Sequence, residues 1–331
     1  MPGSLLIFCQ DNRTICCIER EEIMAGIGEV LMKALAFVAI IAMGYGLKRA
    51  GVFHAKDFYL ISKIVIKITL PAAIVANFSK ITMESSMLIL CVLGLACNGL
   101  LLTVAYCINL TKSRKQKAFD MLNMTGYNIG NFTMPFVQSF LGPVGFAATS
   151  LFDAGNSVMC TGVTFSLAST VSGGGQEGAG SVKTVLRTLV SSIPFDAYVI
   201  MTLLTVFHLR LPRVVILFAE TAGGANAFLA LLMIGIGFEI RMDKDKVAEI
   251  VKVLAIRYGI ALAFSLGFFF LLPFPLEIRQ ALAVVVLAPV SSVSPAFTGK
   301  IGGDVELSSA INSLTIVISV VAITGALILV L

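Results

Sequence analysis

The chain has 331 residues, 57% of them hydrophobic and 13% charged, with a net charge of +5 and a mean hydropathy of +0.95. Soluble domains carry about 25% charged residues, so this composition excludes a soluble globular protein and points to a polytopic membrane protein. Nor is the positive charge a nucleic-acid signal, because Lys and Arg fall in the short segments between apolar stretches.

The first residues do not read as a signal peptide. The apolar run Leu5-Leu6-Ile7-Phe8 is too short, and Glu19, Glu21 and Glu22 follow it. Residues 1–23 are therefore expected to form a loose tail. A membrane span needs roughly 20 apolar residues. That ruler gives ten spans, at about 28–47, 58–79, 86–109, 121–141, 144–169, 186–207, 213–239, 249–273, 280–300 and 306–331.

The stretch SGGGQEGAGSVK has the composition of a flexible linker. Placed at 171–185, it divides the chain into a repeat over 24–170 and a second over 186–331, each of five spans. Five is odd, so the second half enters the membrane with opposite polarity. The expected architecture is an all-α polytopic membrane protein, with ten transmembrane helices as two inverted five-helix repeats. Basic residues such as Lys48, Arg49, Lys112, Arg114, Lys115, Lys117, Lys183 and Arg241 follow odd-numbered spans. Lys80, Arg210, Arg213 and Arg279 are on the opposite side, and are fewer. This bias predicts odd-numbered loops in the cytoplasm, both termini outside, and residence in the plasma (cytoplasmic or inner) membrane. The basic run TKSRKQK is read as the same rule at work, with contact to lipid headgroups as the alternative.

The fourth and ninth spans are damaged in matching ways. Residues 121–142 read MLNMTGYNIGNFTMPFVQSFLG, and residues 284–303 read VVVLAPVSSVSPAFTGKIGG. Lipid cannot satisfy broken backbone, so such segments persist only where they line a protein-enclosed cavity. A matched pair of interrupted helices is the strongest sequence pointer to the binding site of a secondary transporter. Pro135 lacks an N–H and clashes with the carbonyl of Asn131, freeing it to face a ligand; Pro295 does the same for Ser291. Asn128, Asn131, Ser291, Ser292 and Ser294 add polar side chains. Where two half-helices begin together near the midplane, a small anion such as a carboxylate is favoured. The competing reading is that Pro and Ser merely kink two packed helices.

Charges inside spans are costly and usually functional. Lys67 lies roughly 13 Å into the second span at 1.5 Å per residue. Asp153 sits at mid-depth in the fifth, Glu220 about a third of the way into the seventh, and Arg257 shallow enough to snorkel. Two readings of Lys67 stand: an ion pair with Asp153 or Glu220, or a charge that attracts an anion while Asp153 carries a coupling proton. Asn77 and Asn226 either line the cavity or bridge two helices. The paired sequences Asn156-Ser157 and Asn312-Ser313 follow the two breaks at similar positions. Neither a metal-ligand pattern nor a cofactor signal is present, and no GxSxG, HExxH or Walker-type loop marks an enzyme.

Several of these stretches together resemble the auxin efflux carrier (AEC) family, particularly its short bacterial members, over roughly residues 24–331. They are GYGLKRAGVF, LISKIVIKITLPAAIVANFSK, the spacing of Asn128 to Pro135, LFDAGNSV, and the Ala-Pro before a polar run ending at Lys300. The chain departs from the family pattern at Thr133, where a Gly is expected, at the additional Pro295, and at Lys67, where a neutral residue is usual. The resemblance implies a fold of two inverted five-helix repeats with crossing fourth and ninth helices, a scaffold part and a transport part, elevator-type alternating access, and often a homodimer. It also implies secondary transport of a small organic anion, auxin-like or dicarboxylate. By position, Asn128 and Pro135 would be ligand contacts of the first crossover, with Pro289 and the following serines forming the second. Asp153 and Asn156 are the expected coupling-ion residues, for a proton or sodium. Two other functions are carried as alternatives: an ion exchanger on a related inverted-repeat scaffold, with Asp153 as ion carrier, and a membrane sensor that binds a ligand without moving it.

Overall fold

The computed structural model describes residues 4–54, 56–82, 85–173, 186–187, 189–239 and 244–331. Side chains are described for fewer, residues 4–25 and a few others excepted. The protein is an all-α membrane protein. Six helices among the described residues are long and apolar enough to cross a membrane: Gly26–Arg49, Asp57–Phe78, Ile89–Cys107, Arg213–Gly237, Val247–Leu271 and Val305–Val330. Large apolar side chains such as Leu35, Val214, Phe218 and Phe270 lie on their outer surfaces, more than two-thirds exposed, as lipid contact allows.

In chain order the helices are α1 (Ser4–Arg49), α2 (Asp57–Phe78), α3 (Ile89–Cys107), α4 (Arg114–Met124), α5 (Met134–Phe140), α6 (Gly142–Val158) and α7 (Thr164–Ser172). The second half holds α8 (Ile193–Val206), α9 (Arg213–Gly224), α10 (Asn226–Gly237), α11 (Val247–Leu271), α12 (Leu276–Val285), α13 (Ser294–Lys300) and α14 (Val305–Val330). Turns of π-helix interrupt α2 at Val65–Thr69, precede α5 at Ile129–Thr133, and join α6 to α7 at Met159–Val163. Such turns arise at functional sites more often than elsewhere in helices.

Two packing groups emerge. One gathers α1, α2, α8, α9 and α10; the other gathers α3, α4, α6, α7 and α11 to α14. Each is drawn tight where glycines let backbones touch. A Cβ on Gly155 of α6 would collide with the Cys91 carbonyl of α3, and one on Gly235 of α10 with the Ile41 carbonyl of α1. Small residues at such crossings supply the close packing that membrane helices need. The groups also pack directly, α2 on α6 and α1 on α14, and the short α5 joins them further, its Phe136 meeting Phe37 of α1 edge to face at 4.9 Å.

Several boundaries differ from expectation for identifiable reasons. The expected tail is helical from Ser4 and continuous with the first span, because neither Gly nor Pro occurs between Ser4 and Gly26 to stop it. The fourth element starts at Arg114 rather than near 121, because the Ser113 hydroxyl caps it, accepting from the Gln116 N–H at 3.2 Å. The basic run thus forms the first turn of a helix. The seventh span breaks at Ala225, directly after Gly223 and Gly224. The sixth is interrupted at Ser191-Ser192 and resumes as helix at Ile193, with Pro194 in its first turn. The expected Gly-rich linker falls almost wholly outside the described residues, after α7 ends at Gly173 with φ 79°.

The start of α14 carries a testable electrostatic cap. Asp304 accepts from the Leu307 N–H at 2.9 Å and pairs with Lys246 at 2.5 Å. Burial pushes its carboxyl up, but the Leu307 N–H and the Lys246 ammonium outweigh this and hold it below the ordinary 3.8. A depressed folded-state value stabilises the fold above the unfolded value and loses that contribution as pH falls through the folded one. Asp304→Ala is expected to cost about 1 kcal/mol at pH 7. Melting curves of wild type and variant should converge as the pH is taken to about 3.

Candidate functional site

The two segments expected as the fourth and ninth spans break upstream of Pro135 and Pro295, not at them. After Met124 the backbone turns extended at Thr125 and left-handed at Gly126, with φ 87°. A Cβ on Gly126 would sit 2.8 Å from the Cys160 sulfur and 3.1 Å from the Ser291 Cβ, so both the conformation and the space require glycine. The ninth span ends α12 at Val285 and runs irregularly to Ser294. The two irregular stretches meet antiparallel, with Tyr127 opposite Val290, and the Asn128 N–H donates to the Pro289 carbonyl at 2.9 Å. Two short extended stretches therefore meet at one bridge, the sole strand-like pairing among the described residues.

Backbone groups released at such a crossing need partners, since none can come from lipid. Arg257 of α11 serves four of the carbonyls. Its Nη1 donates to the Met124 carbonyl at 2.5 Å, and its Nη2 lies 2.9 Å from the Gly126, 3.0 Å from the Ala288 and 3.1 Å from the Pro289 carbonyl. The guanidinium also stacks 5.0 Å from the Tyr127 ring centroid. Arg257 is 1% exposed, and among the described residues no carboxylate pairs with it. One buried, uncompensated cation thus ties both broken segments together. Expected to snorkel, Arg257 instead sits at the crossover. It lies some ten residues into α11, roughly 15 Å along the axis, as deep as Lys67 was judged to be.

Asparagines from neighbouring helices hold each extended stretch. The Asn156 Oδ1 accepts from the Tyr127 N–H at 3.0 Å, and its Nδ2 donates to the Tyr127 carbonyl at 2.9 Å. Asn98 Oδ1 accepts from the Gly126 N–H at 2.9 Å. In the second half, Asn312 Nδ2 donates to the Val290 and Ser291 carbonyls at 3.1 and 3.3 Å, and the Thr315 hydroxyl accepts from the Val290 N–H at 3.2 Å. Each of the two facing residues, Tyr127 and Val290, is gripped by an Asn of the second helix after it, Asn156 of α6 and Asn312 of α14. Asn156 thereby holds backbone through both ends of its amide, and its Nδ2 also reaches Asp153.

Asp153 lies beside this cradle, 7% exposed. Its Oδ1 accepts from Asn156 at 2.9 Å and its Oδ2 from the Tyr198 hydroxyl of α8 at 2.9 Å. No cation pairs with it among the described residues. It touches the π-turn as well, since a Cβ on Gly130 would lie 3.7 Å from Oδ2.

Of the other sequence candidates, Asn128 is buried at the crossing. Asn131 is half-buried, with a buried Oδ1 that has no partner. Pro135 is buried in the first turn of α5, downstream of the break. Pro289 offers its carbonyl to Asn128 and Arg257. Ser291 and Ser294 are buried and Ser292 half-buried. The Ser291 carbonyl is not free as expected: it accepts from Asn312 and from the Ser294 N–H at 3.0 Å. Lys67 is not brought to the crossover; it is exposed on the π-turn of α2, and Glu220 pairs with Lys80 at 2.8 Å instead. Asn226 bridges helices, accepting from Thr69 at 3.0 Å, while Asn77 bonds within its own helix. Besides Asn131 Oδ1, the fourth segment keeps the buried oxygens of Thr125, Tyr127 and Thr133 without partners. A buried polar atom left unpaired is costly, so these are the atoms a ligand would satisfy.

No known family model matches the chain, and no curated protein is significantly similar to it.

Proposed function

We propose that this protein is a secondary transporter of a small organic anion, of the auxin efflux carrier type, with its substrate at the crossing of the fourth and ninth spans. One observation carries the reading: a fully buried guanidinium without a carboxylate partner binds both broken segments at once. An uncompensated cation in a low-dielectric interior attracts an anion far more strongly than it would in water. Beside it, Asn128 and the unpaired Tyr127 hydroxyl, which can donate, supply polar contacts to orient one.

Ten spans in two inverted repeats suit the same reading. The broken fourth and ninth elements occupy equivalent places, and Asn156 and Asn312 grip equivalent residues. The packing groups correspond to the scaffold and transport parts that elevator-type movement requires, with the Tyr198–Asp153 bond running between them. Asp153, buried without a cation, is the proposed carrier of the coupling proton, the usual role of a lone membrane acid. Sodium is the other coupling ion this site could take. The cytoplasmic placement of the basic loops, both termini outside, and a homodimer belong to the same proposal.

Thermal-shift measurements on purified protein test it. Binding to the folded state alone raises the melting temperature by mass action. Malate, malonate or indole-3-acetate is expected to raise it, neutral amide analogues are not, and Asn128→Ala should lose the response while melting normally without ligand. An undiminished response in Asn128→Ala would remove the crossover as the binding site. A shift with sodium or pH alone, and none with any carboxylate, would favour the ion exchanger.

A further inference from the structure

A second site lies away from the crossover, where the ends of α2 and α8 meet the start of α9. A cavity of about 540 Å³ opens there, with Lys80, His208 and Arg210 among its lining and an apolar wall that includes Phe78, Met201 and Ile216. Its size falls within the range of small-ligand pockets, about 300–1,000 Å³. Lys80 is partly neutralised by Glu220 at 2.8 Å. Arg210 has no ion-pair partner among the described residues, so its guanidinium is available.

The backbone at His208 is the second observation. Helix α8 closes with the Leu209 N–H donating to the Leu204 carbonyl at 2.8 Å and the His208 N–H to the Thr205 carbonyl at 3.1 Å. This pattern places the residue after the cap in the left-handed region, a position normally filled by glycine. His208 occupies it at φ 54°, the one non-glycine residue with positive φ among those described. The turn itself is served better by glycine, so the imidazole at this strained position points to a use in the cavity it lines. The surroundings indicate what that use is. Leu209 of the lining is large, apolar and exposed, as are Phe207, Val214 and Phe218, which flank lining residues in sequence at the end of α8 and on α9. A polar, cationic cavity bordered by a lipid-facing apolar surface matches the two ends of a phospholipid.

We propose that this cavity binds a phosphate oxyanion, supplied by a phospholipid headgroup. Arg210 presents the planar fork that suits phosphate oxygens, Lys80 and His208 add donors, and the acyl chains run along the apolar surface beside it. Melting temperatures of the delipidated, detergent-purified full chain test the assignment with three additions: phosphatidylglycerol, diacylglycerol of the same acyl chains, and inorganic phosphate. Phosphatidylglycerol is expected to raise the melting temperature of the wild type and diacylglycerol is not. In Arg210→Gln and His208→Gly the rise should fall by about half or more. His208→Gly relieves the left-handed backbone, so without lipid it should melt at the same temperature or higher, which separates a lost site from a damaged fold. A rise with inorganic phosphate equal to that with lipid would keep the oxyanion site and overturn the lipid as its source. Equal responses to phosphatidylglycerol and diacylglycerol, or unchanged responses in both variants, would overturn the site.

Discussion

Arg257→Met is expected to unfold or grossly destabilise the crossover, and Arg257→Lys to separate charge from geometry. Four carbonyls from two segments converge on this one side chain. A hydrogen bond from a charged donor contributes about 1.5–3 kcal/mol. Nη2 shares its two hydrogens among three of the carbonyls, so three charged bonds are lost, and if relaxation recovers half of their worth the cost is still about 2–5 kcal/mol. Methionine fills the volume but donates nothing, leaving Met124, Gly126, Ala288 and Pro289 with buried carbonyls to satisfy otherwise. Lysine keeps the cation but offers a compact ammonium in place of the planar fork, and cannot reach both extended stretches in the same way. The Lys variant should therefore retain part of the carboxylate affinity at reduced stability. Denaturant or thermal unfolding, set beside ligand binding, distinguishes the two. If Arg257→Met were as stable as wild type and still bound carboxylates, the guanidinium would be neither tie nor attractor.

The second large effect is expected at Asp153. Its Oδ2 accepts from Tyr198, and a tyrosine hydroxyl can both donate and accept. The same partner therefore serves the carboxylate, by donating, and the carboxylic acid, by accepting. Asp153→Asn fits this geometry: its Oδ1 can face Asn156 Nδ2, and its Nδ2 can donate to Tyr198. The variant imitates the neutral form permanently. Carboxylate binding and exchange of internal for external substrate should persist, whereas uptake driven by a pH gradient should fall to the level of protein-free liposomes. Gradient-driven uptake unchanged in Asp153→Asn would exclude this residue as the proton carrier.

How much of this was legible in the sequence depended on the physical signal. Long apolar helices announce themselves by composition, and the two damaged segments by Asn, Gly, Ser and Pro where a span should be uniform. The meeting of Tyr127 with Val290 was not written in either segment, since a contact between residues 163 positions apart depends on the packing of every helix between them. Pro135 and Pro295 drew attention as the breaks, yet the irregular backbone lies upstream, where Gly126 adopts its left-handed turn and Pro289 interrupts the helix. The π-turn at Ile129–Thr133 lets the chain resume helix before Pro135 arrives. Lys67 and Arg257 lie at similar depths, but depth does not reveal direction. One faces outward from α2 and the other inward from α11. The capping role of Asn156 and Asn312 was half-visible as a repeated Asn-Ser pair, without the backbone partners that explain it. Asn98 and Tyr198 carried no sequence signal beyond being polar residues in apolar spans.

Counterflow into proteoliposomes tests the central claim most directly. Vesicles preloaded with a carboxylate that binds the protein are diluted into a trace of the same radiolabelled compound, with no pH or sodium gradient. Anion transport through the crossover predicts transient accumulation of label in wild-type vesicles, none with the neutral amide analogue, and none in Asn128→Ala. Proton or sodium flux in the absence of any organic substrate, with no carboxylate counterflow, would contradict it.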